Sequence, residues 1–110
     1  MPKPLRTYSS ETNRALDYLA AQIRVARKER RFTEMEMAER TGISRATLRA
    51  IEAGSPKVEI GLVLEMACLL GVPIFGDAGV SDIDLGRMKD RLALLPQAIR
   101  LRGKELDDDF

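Results

Sequence analysis

The fold is decided by residues 33–54, TEMEMAERTGISRATLRAIEAG. Thr33 followed three residues later by Glu36 is typical of a capping box, in which a hydroxyl and a carboxylate each accept a backbone N–H at the start of a helix. Gly42 stands where helices commonly end in a left-handed turn residue, and Ser44 is a good N-cap for a further helix. The stretch therefore predicts two short helices joined by a tight glycine turn.

The second of these helices, near residues 44–53, has one apolar face and one basic face. Leu48 and Ile51 lie on the apolar side, and Arg45 and Arg49 project together from the other, because residues four apart share a helix face. Two helices joined in this way form a helix-turn-helix, which presents its second helix to a DNA groove. Similar pairs also occur in bundles that bind no nucleic acid, so a scaffold or protein-interaction module remains the alternative.

Three further helices are predicted around this pair. Apolar residues at three- and four-residue spacing predict the first from about Thr12 to Arg30 and the last from about Asp84 to Leu95. Between them, a fourth amphipathic helix is marked by Val58, Ile60, Val63, Met66, Ala67 and Leu70 and closed by Gly71 and Pro73. The expected fold class is all-α, a compact bundle of about five short helices.

The chain divides by composition into four parts. Residues 1–11 are predicted to be a flexible N-terminal arm, and residues 12–75 the helix-turn-helix domain. Residues 76–96 are predicted to be a linker and a C-terminal helix, followed by a basic-then-acidic tail over 97–110. The apolar face of that helix (Leu85, Met88, Leu92 and Leu95) packs either on the fourth helix or in a two-fold dimer interface, and we favour the dimer.

Composition argues against several classes of protein. The sequence contains no His and a single cysteine, Cys68, so imidazole chemistry, an intramolecular disulfide and a thiolate metal cluster within one chain are excluded. We therefore expect neither an enzyme nor a cofactor or metal protein. No apolar stretch approaches the length of a membrane span and no signal peptide is recognisable, which predicts a cytoplasmic protein.

The net charge of +1 conceals an uneven distribution. Four of the 17 acidic residues lie in the last six positions, so residues 1–104 carry 18 basic against 13 acidic side chains. A moderately basic body is compatible with binding a polyanion, and equally with a solvated basic surface. The acidic end (Asp107, Asp108, Asp109 and Phe110) is either solvating charge or a peptide that docks on a partner.

The sequence resembles the Cro/repressor (XRE) family over roughly residues 16–75. The resemblance rests on Ile23-Arg24, Arg27-Lys28, Phe32-Thr33, Ala38-Glu39, Thr41-Gly42-Ile43-Ser44, Thr47-Leu48 and Ile51-Glu52-Ala53-Gly54. It implies a lambda-repressor-like DNA-binding domain and a transcriptional regulator, usually a repressor. It also implies a homodimer on a palindromic operator in double-stranded DNA.

The resemblance also implies roles for individual residues. The base edges would be contacted by Arg45, Ala46, Thr47, Arg49 and Ala50. Arg45 is the first candidate, because a guanidinium bridges guanine O6 and N7. Phosphates would be contacted by Thr33, Ser44, Ser55 and Lys57, and Arg27 and Glu52 would form an ion pair that links the first helix to the recognition helix. Glu34 departs from the family, which commonly has Gln there, and is expected to serve the positive end of its helix.

A narrower resemblance concerns the C-terminal part. Residues 91–96 (RLALLP) and 106–110 (LDDDF) are similar to HipB-like antitoxins. This resemblance implies an antitoxin that autoregulates its operon and holds a HipA-like kinase toxin inactive.

Overall fold

The computed structural model describes residues 7–96, and the regular structure within this range consists of five α-helices. They are α1 (Ser10–Glu29), α2 (Glu34–Thr41), α3 (Arg45–Glu52), α4 (Ile60–Leu70) and α5 (Asp82–Leu94). The predicted all-α class is confirmed.

The chain divides into two compact units, Met1–Asp77 and Ala78–Phe110. The first unit contains α1 to α4, in which α2 packs on α3 and α1 packs on both α3 and α4. The second contains α5. Within residues 7–96, none of the helices is at once long enough and apolar enough to cross a membrane.

One apolar core holds the four helices of the first unit together. Each of these helices contributes residues to it: Ile23, Ala26, Met37, Ala38, Leu48, Ile51, Met66 and Leu70. Five of those side chains are fully buried (Ile23, Met37, Leu48, Met66 and Leu70). The transfer free energy of such a side chain is about 1.5–3 kcal/mol, so the core determines which face of each short helix points outward.

Local capping determines where the helices of the pair begin and end. The Thr33 hydroxyl accepts the Glu36 N–H at 3.1 Å and the Glu36 carboxylate accepts the Thr33 N–H at 3.3 Å, as the capping box predicts. Gly42 ends α2 in the left-handed region with φ of 70°. Only three residues, Gly42, Ile43 and Ser44, separate α2 from α3, which places the start of α3 close to α2.

Two helix starts differ from the prediction. Helix α1 begins at Ser10 and not near Thr12, because the Ser9 hydroxyl caps it by accepting the Thr12 N–H at 3.2 Å. Residues 10 and 11 therefore belong to a helix and not to the N-terminal arm. Helix α5 begins at Asp82 because Ser81 and Asp84 form a capping box, so Asp84 is its third residue.

One predicted core position is wrong. Ile60 is the first residue of α4 and is 76% exposed, although its spacing of three and seven residues places it near the side of Val63 and Ala67. The partly buried Leu62 packs against the core. In the second unit, α5 carries no buried residue. Its apolar side chains Leu85, Met88 and Leu92, and Leu95 directly after it, are all about half exposed or more.

Candidate nucleic-acid interface

The outward face of α3 is the basic surface that the sequence predicts. Leu48 is fully buried and Ile51 is 3% exposed, so they anchor the inner side of the helix. Arg45, Ala46 and Arg49 are exposed on the other side. The helix thus presents two guanidinium groups, with a small side chain beside them, on a rigid element.

The other two candidate base contacts, Thr47 and Ala50, are less exposed to solvent than Arg45, Ala46 and Arg49. Thr47 and Ala50 are half-buried. The Ser44 hydroxyl caps α3 by accepting the Thr47 N–H at 3.0 Å, and its oxygen lies 2.9 Å from the Thr47 hydroxyl. Ser44 and Thr47 are therefore already joined to each other at the N-terminus of the helix.

Glu34, the first residue of α2, faces the arginines of α3. Its Oε2 accepts a hydrogen bond from Arg49 Nε at 2.8 Å and lies 3.9 Å from Arg45 Nη2. These contacts lower the pKa of Glu34, chiefly through the Arg49 hydrogen bond and also through the positive charges of Arg49, Arg45 and Arg27. The carboxylate is in the first turn of α2, as expected, but its partners on α3 were not predicted.

Arg27 and Glu52 form a buried, two-point ion pair between α1 and α3. Arg27 Nε donates to Glu52 Oε2 at 2.7 Å, and Arg27 Nη2 donates to Glu52 Oε1 at 3.0 Å. Arg27 Nη1 also donates to the Phe32 carbonyl at 2.8 Å. The side chains are only 8% and 9% exposed, and the Glu52 hydrogen bond is the main cause of the raised pKa of Arg27. The pair fixes α3 against α1 and against the turn before α2.

The candidate phosphate ligands lie at helix ends and in the loop after α3. Thr33 and Ser44 are exposed N-caps. In the loop, the Ser55 hydroxyl accepts the Lys57 N–H at 3.2 Å, and the Lys57 side chain is exposed. A hydroxyl that accepts a capping bond still has its own hydrogen to donate, so capping does not prevent Thr33 or Ser55 from contacting a phosphate oxygen.

An open groove beside α3 reveals further cations. Arg24 and Lys28, both exposed on α1, line it together with Thr33, Glu34 and Arg45. The sequence shows these two cations on the polar face of α1, but it does not show that this face turns toward the N-terminus of α2. A second groove on the other side of α3 is lined by Ala46, Thr47, Ala50, Ser55 and Lys57 among others.

Some functional predictions cannot be placed on this surface. Asp107, Asp108, Asp109 and Phe110 lie outside the described residues. Across residues 7–96, the acidic and cysteine side chains form no group of three or more that could hold a metal ion. The described surface around α3 combines arginine, lysine and hydroxyl groups with the carboxylates of Glu34 and Glu59.

Comparison with known proteins agrees with this geometry. The family model described as a helix-turn-helix domain matches residues 18–77, more than half of the 110 residues. The chain belongs to this helix-turn-helix domain family, and DNA binding is the function that membership supports. Neither the search of curated proteins nor the search of solved structures gave a match.

Proposed function

We propose that this protein is a sequence-specific transcriptional repressor that places α3 in the major groove of double-stranded DNA. The observation that carries the proposal is the exposed row of Arg45, Ala46 and Arg49 on a helix whose opposite face is anchored by Leu48 and Ile51. The major groove is about 12 Å wide and admits one α-helix, and its base edges distinguish all four base pairs. A rigid helix with two outward guanidinium groups fits this mode of readout.

Each group in the surface has a role in this proposal. Arg45 and Arg49 donate to guanine O6 and N7, and Ala46 contacts a thymine methyl group. Thr47 and Ala50 lie at the flank of the contacted bases. The phosphates on either side are held by groups that position the helix without reading sequence: Thr33, Ser44, Ser55 and Lys57. We add Arg24 and Lys28 of α1 to these groups, because they line the groove beside Arg45.

We also propose that the protein binds as a homodimer to a palindromic operator. One eight-residue recognition helix reads only a few base pairs, whereas two-fold dimers place two such helices about 34 Å apart, one turn of DNA. The exposed apolar side chains of α5 (Leu85, Met88 and Leu92) and of Leu95 directly after it are compatible with burial against a second copy. An alternative class is a scaffold that keeps the helix-turn-helix without binding DNA.

A more specific form of the proposal is the HipB-like antitoxin. The support is the resemblance of residues 91–96 and 106–110 to such regulators, together with the acidic tail that ends in Phe110. In this form the protein represses its own operon and its tail docks on a HipA-like kinase toxin. A kinase-like protein encoded by the adjacent gene, captured by the full chain and lost on deletion of 106–110, is the result this form predicts.

The proposal describes a cytoplasmic binding protein and not an enzyme. The chemical support is the absence of His from the sequence, which removes the usual general base and the Ser–His and Cys–His nucleophile pairs. The side chains around α3 serve as hydrogen-bond donors to DNA in this account.

The test is binding to the DNA upstream of the protein's own gene over a series of salt concentrations. The wild type is expected to bind specifically and to weaken steeply with salt, because arginine and lysine release counterions from phosphate. Arg45→Ala is expected to lower affinity for the preferred site about 5-fold or more, the loss of one bidentate base contact. The matched control Arg87→Ala, which removes an exposed charge from α5, is expected to keep the sequence preference. No binding of the wild type above background at low salt would contradict the proposal and favour the scaffold.

A further inference from the structure

We propose that Glu34 is a specificity-determining residue, whose carboxylate holds Arg49 ready for a guanine and at the same time competes with DNA phosphates for Arg49 and Arg45. This inference rests on the proposed DNA binding and deepens it. It concerns how α3 distinguishes its preferred sequence from all others, and it assigns a role to the carboxylate that contacts Arg49 and Arg45.

The first step of the argument is which nitrogen of Arg49 is engaged. Glu34 Oε2 accepts its hydrogen bond from Arg49 Nε at 2.8 Å. No hydrogen bond engages Nη1 or Nη2 of Arg49 elsewhere in residues 7–96. These two terminal nitrogens form the end of the guanidinium fork that matches guanine O6 and N7. The carboxylate therefore occupies the side of the guanidinium that an end-on guanine contact does not need.

The second step concerns conformational freedom. Arg49 is exposed, and a long exposed side chain loses rotamer freedom when it is fixed on binding. A hydrogen bond from a residue at the start of α2 restricts that freedom before DNA arrives. Because Glu34 is itself the first residue of a helix with a capping box, its backbone is fixed, and the restraint on Arg49 is anchored in a rigid element.

The third step is the negative charge. Glu34 is ionised at neutral pH, and the hydrogen bond from Arg49 and the nearby arginine charges lower its pKa further. In a non-specific complex, Arg49 and Arg45 meet only phosphates, so they must leave Glu34, and the carboxylate is left facing a polyanion. In the preferred complex Arg49 keeps Glu34 while its terminal nitrogens bind guanine. Repulsion between the Glu34 carboxylate and the phosphates therefore lowers the affinity for DNA that lacks the preferred sequence, which is a form of discrimination by repulsion.

The pair is weak enough to respond to DNA. The side chains of Glu34 and Arg49 are 34% and 62% exposed, and ion pairs in such surroundings contribute little to folding stability. Replacing Glu34 is therefore expected to change DNA discrimination without unfolding the domain. Glu39 provides the matched control, because it lies on the exposed side of α2 and takes part in none of the ion pairs found in the described range 7–96.

The experiment compares Glu34→Gln with Glu39→Gln, which remove the same charge from the same helix. Wild-type protein first selects a preferred sequence from a pool of random duplexes of about 30 bp, three helical turns. Dissociation constants for the selected and an unselected duplex are then measured by fluorescence anisotropy at several salt concentrations. Glu34→Gln is expected to bind the unselected duplex more tightly and to lower the ratio of the two affinities about 5-fold or more. Its salt dependence on the unselected duplex should steepen by about one counterion.

The control and a DNA-free measurement separate the possible outcomes. Glu39→Gln is expected to change both affinities equally. In the free protein, the order parameter of the Arg49 Nε–H is expected to fall in Glu34→Ala, which removes the acceptor altogether. A wild type that selects a sequence while Glu34→Gln keeps the same affinity ratio overturns this inference and leaves the proposed function standing. A wild type that selects no sequence overturns both.

Discussion

Two of the arginine–glutamate pairs that α3 forms within residues 7–96, Arg27–Glu52 and Arg49–Glu34, differ in how much water reaches them. Arg27 and Glu52 are less than one-tenth exposed, whereas Glu34 is one-third and Arg49 nearly two-thirds exposed. Removing one partner of a buried pair leaves an uncompensated charge, but an exposed pair is screened by water. The first pair therefore fixes the orientation of α3, and the second acts on what its outer face binds.

Substituting Arg27 tests this division. In Arg27→Met, the Glu52 carboxylate and the Phe32 carbonyl lose their buried donors, so the free energy of unfolding is expected to fall by about 3–5 kcal/mol. Urea denaturation measures the change. The exposed neighbour Arg24→Met is the control and should change it by less than about 0.5 kcal/mol.

A double variant tests whether the lost stability comes from the charge that is left without a partner. Arg27→Met combined with Glu52→Leu removes both charges, and an apolar pair of similar size is commonly neutral in such a position. Most of the lost stability is expected to return. An Arg27→Met protein as stable as Arg24→Met would show that the Arg27–Glu52 pair does not make the predicted contribution to the free energy of unfolding.

Single contacts differed in how far the sequence could predict them. The ion pair of Arg27 and Glu52 was predicted from the resemblance to the Cro/repressor (XRE) family. The structure brings the two side chains together. The contact of Glu34 with Arg49 depends on the angle between α2 and α3, which is set by the core and leaves no mark in the local sequence. The position of Arg24 and Lys28 beside the N-terminus of α2 likewise depends on how the helices pack, so the local sequence did not reveal it.

At the scale of elements, the chain turns at Gly54 where α3 ends close to α1. Gly54 has φ of 75°, and a Cβ there would lie 2.9 Å from Asp17 Oδ1 and 3.3 Å from the Leu16 carbonyl oxygen. Gly42, between α2 and α3, has a similar φ of 70° but open space around it. The two glycines share a backbone conformation and differ in how closely another helix approaches.

This difference gives a matched pair of substitutions. Gly42→Ala is expected to lower the free energy of unfolding by about 1–2 kcal/mol, the cost of a left-handed residue with a Cβ. Gly54→Ala has the same backbone strain, and its Cβ also pushes against α1 at Leu16 and Asp17. We therefore expect its free energy of unfolding to fall by a further ~1 kcal/mol or more, the effect of overpacking. Thermal unfolding followed by circular dichroism measures both. Equal losses in the two variants would contradict the close approach of α1 to the end of α3.

The helices themselves were predictable because their signals are local. Capping residues, the glycine turn and three- and four-residue apolar spacing lie within a few positions of the structure they specify. Errors arose where two signals compete, as at Asp82 and Ile83, which were left out of the helix although Ser81 caps α5 directly before them. Ile60 was misplaced because a residue with the correct helical spacing can still be exposed to solvent at the first position of a helix.

At the scale of the whole molecule, one unit carries α1 to α4 and their core, and the other carries α5. The all-α class and the helix-turn-helix were predictable, since they follow from the order of the local elements. The use of the apolar face of α5 was not, because a helix with exposed leucines packs equally well on its own chain or on a second copy. Our proposal of a two-fold dimer makes the symmetry of the bound DNA the property to measure.

The most direct measurement is methylation interference with dimethyl sulfate on a DNA site selected by the wild-type protein. The reagent modifies guanine N7, an acceptor in the major groove, and adenine N3, an acceptor in the minor groove. We predict that wild-type binding is blocked by methylated guanines in two half-sites about one helical turn apart. In Arg45→Ala and Arg49→Ala, individual guanines of both half-sites should lose this effect. Interference confined to adenine N3, or unchanged by either substitution, would contradict the claim that the arginines of α3 read the major groove.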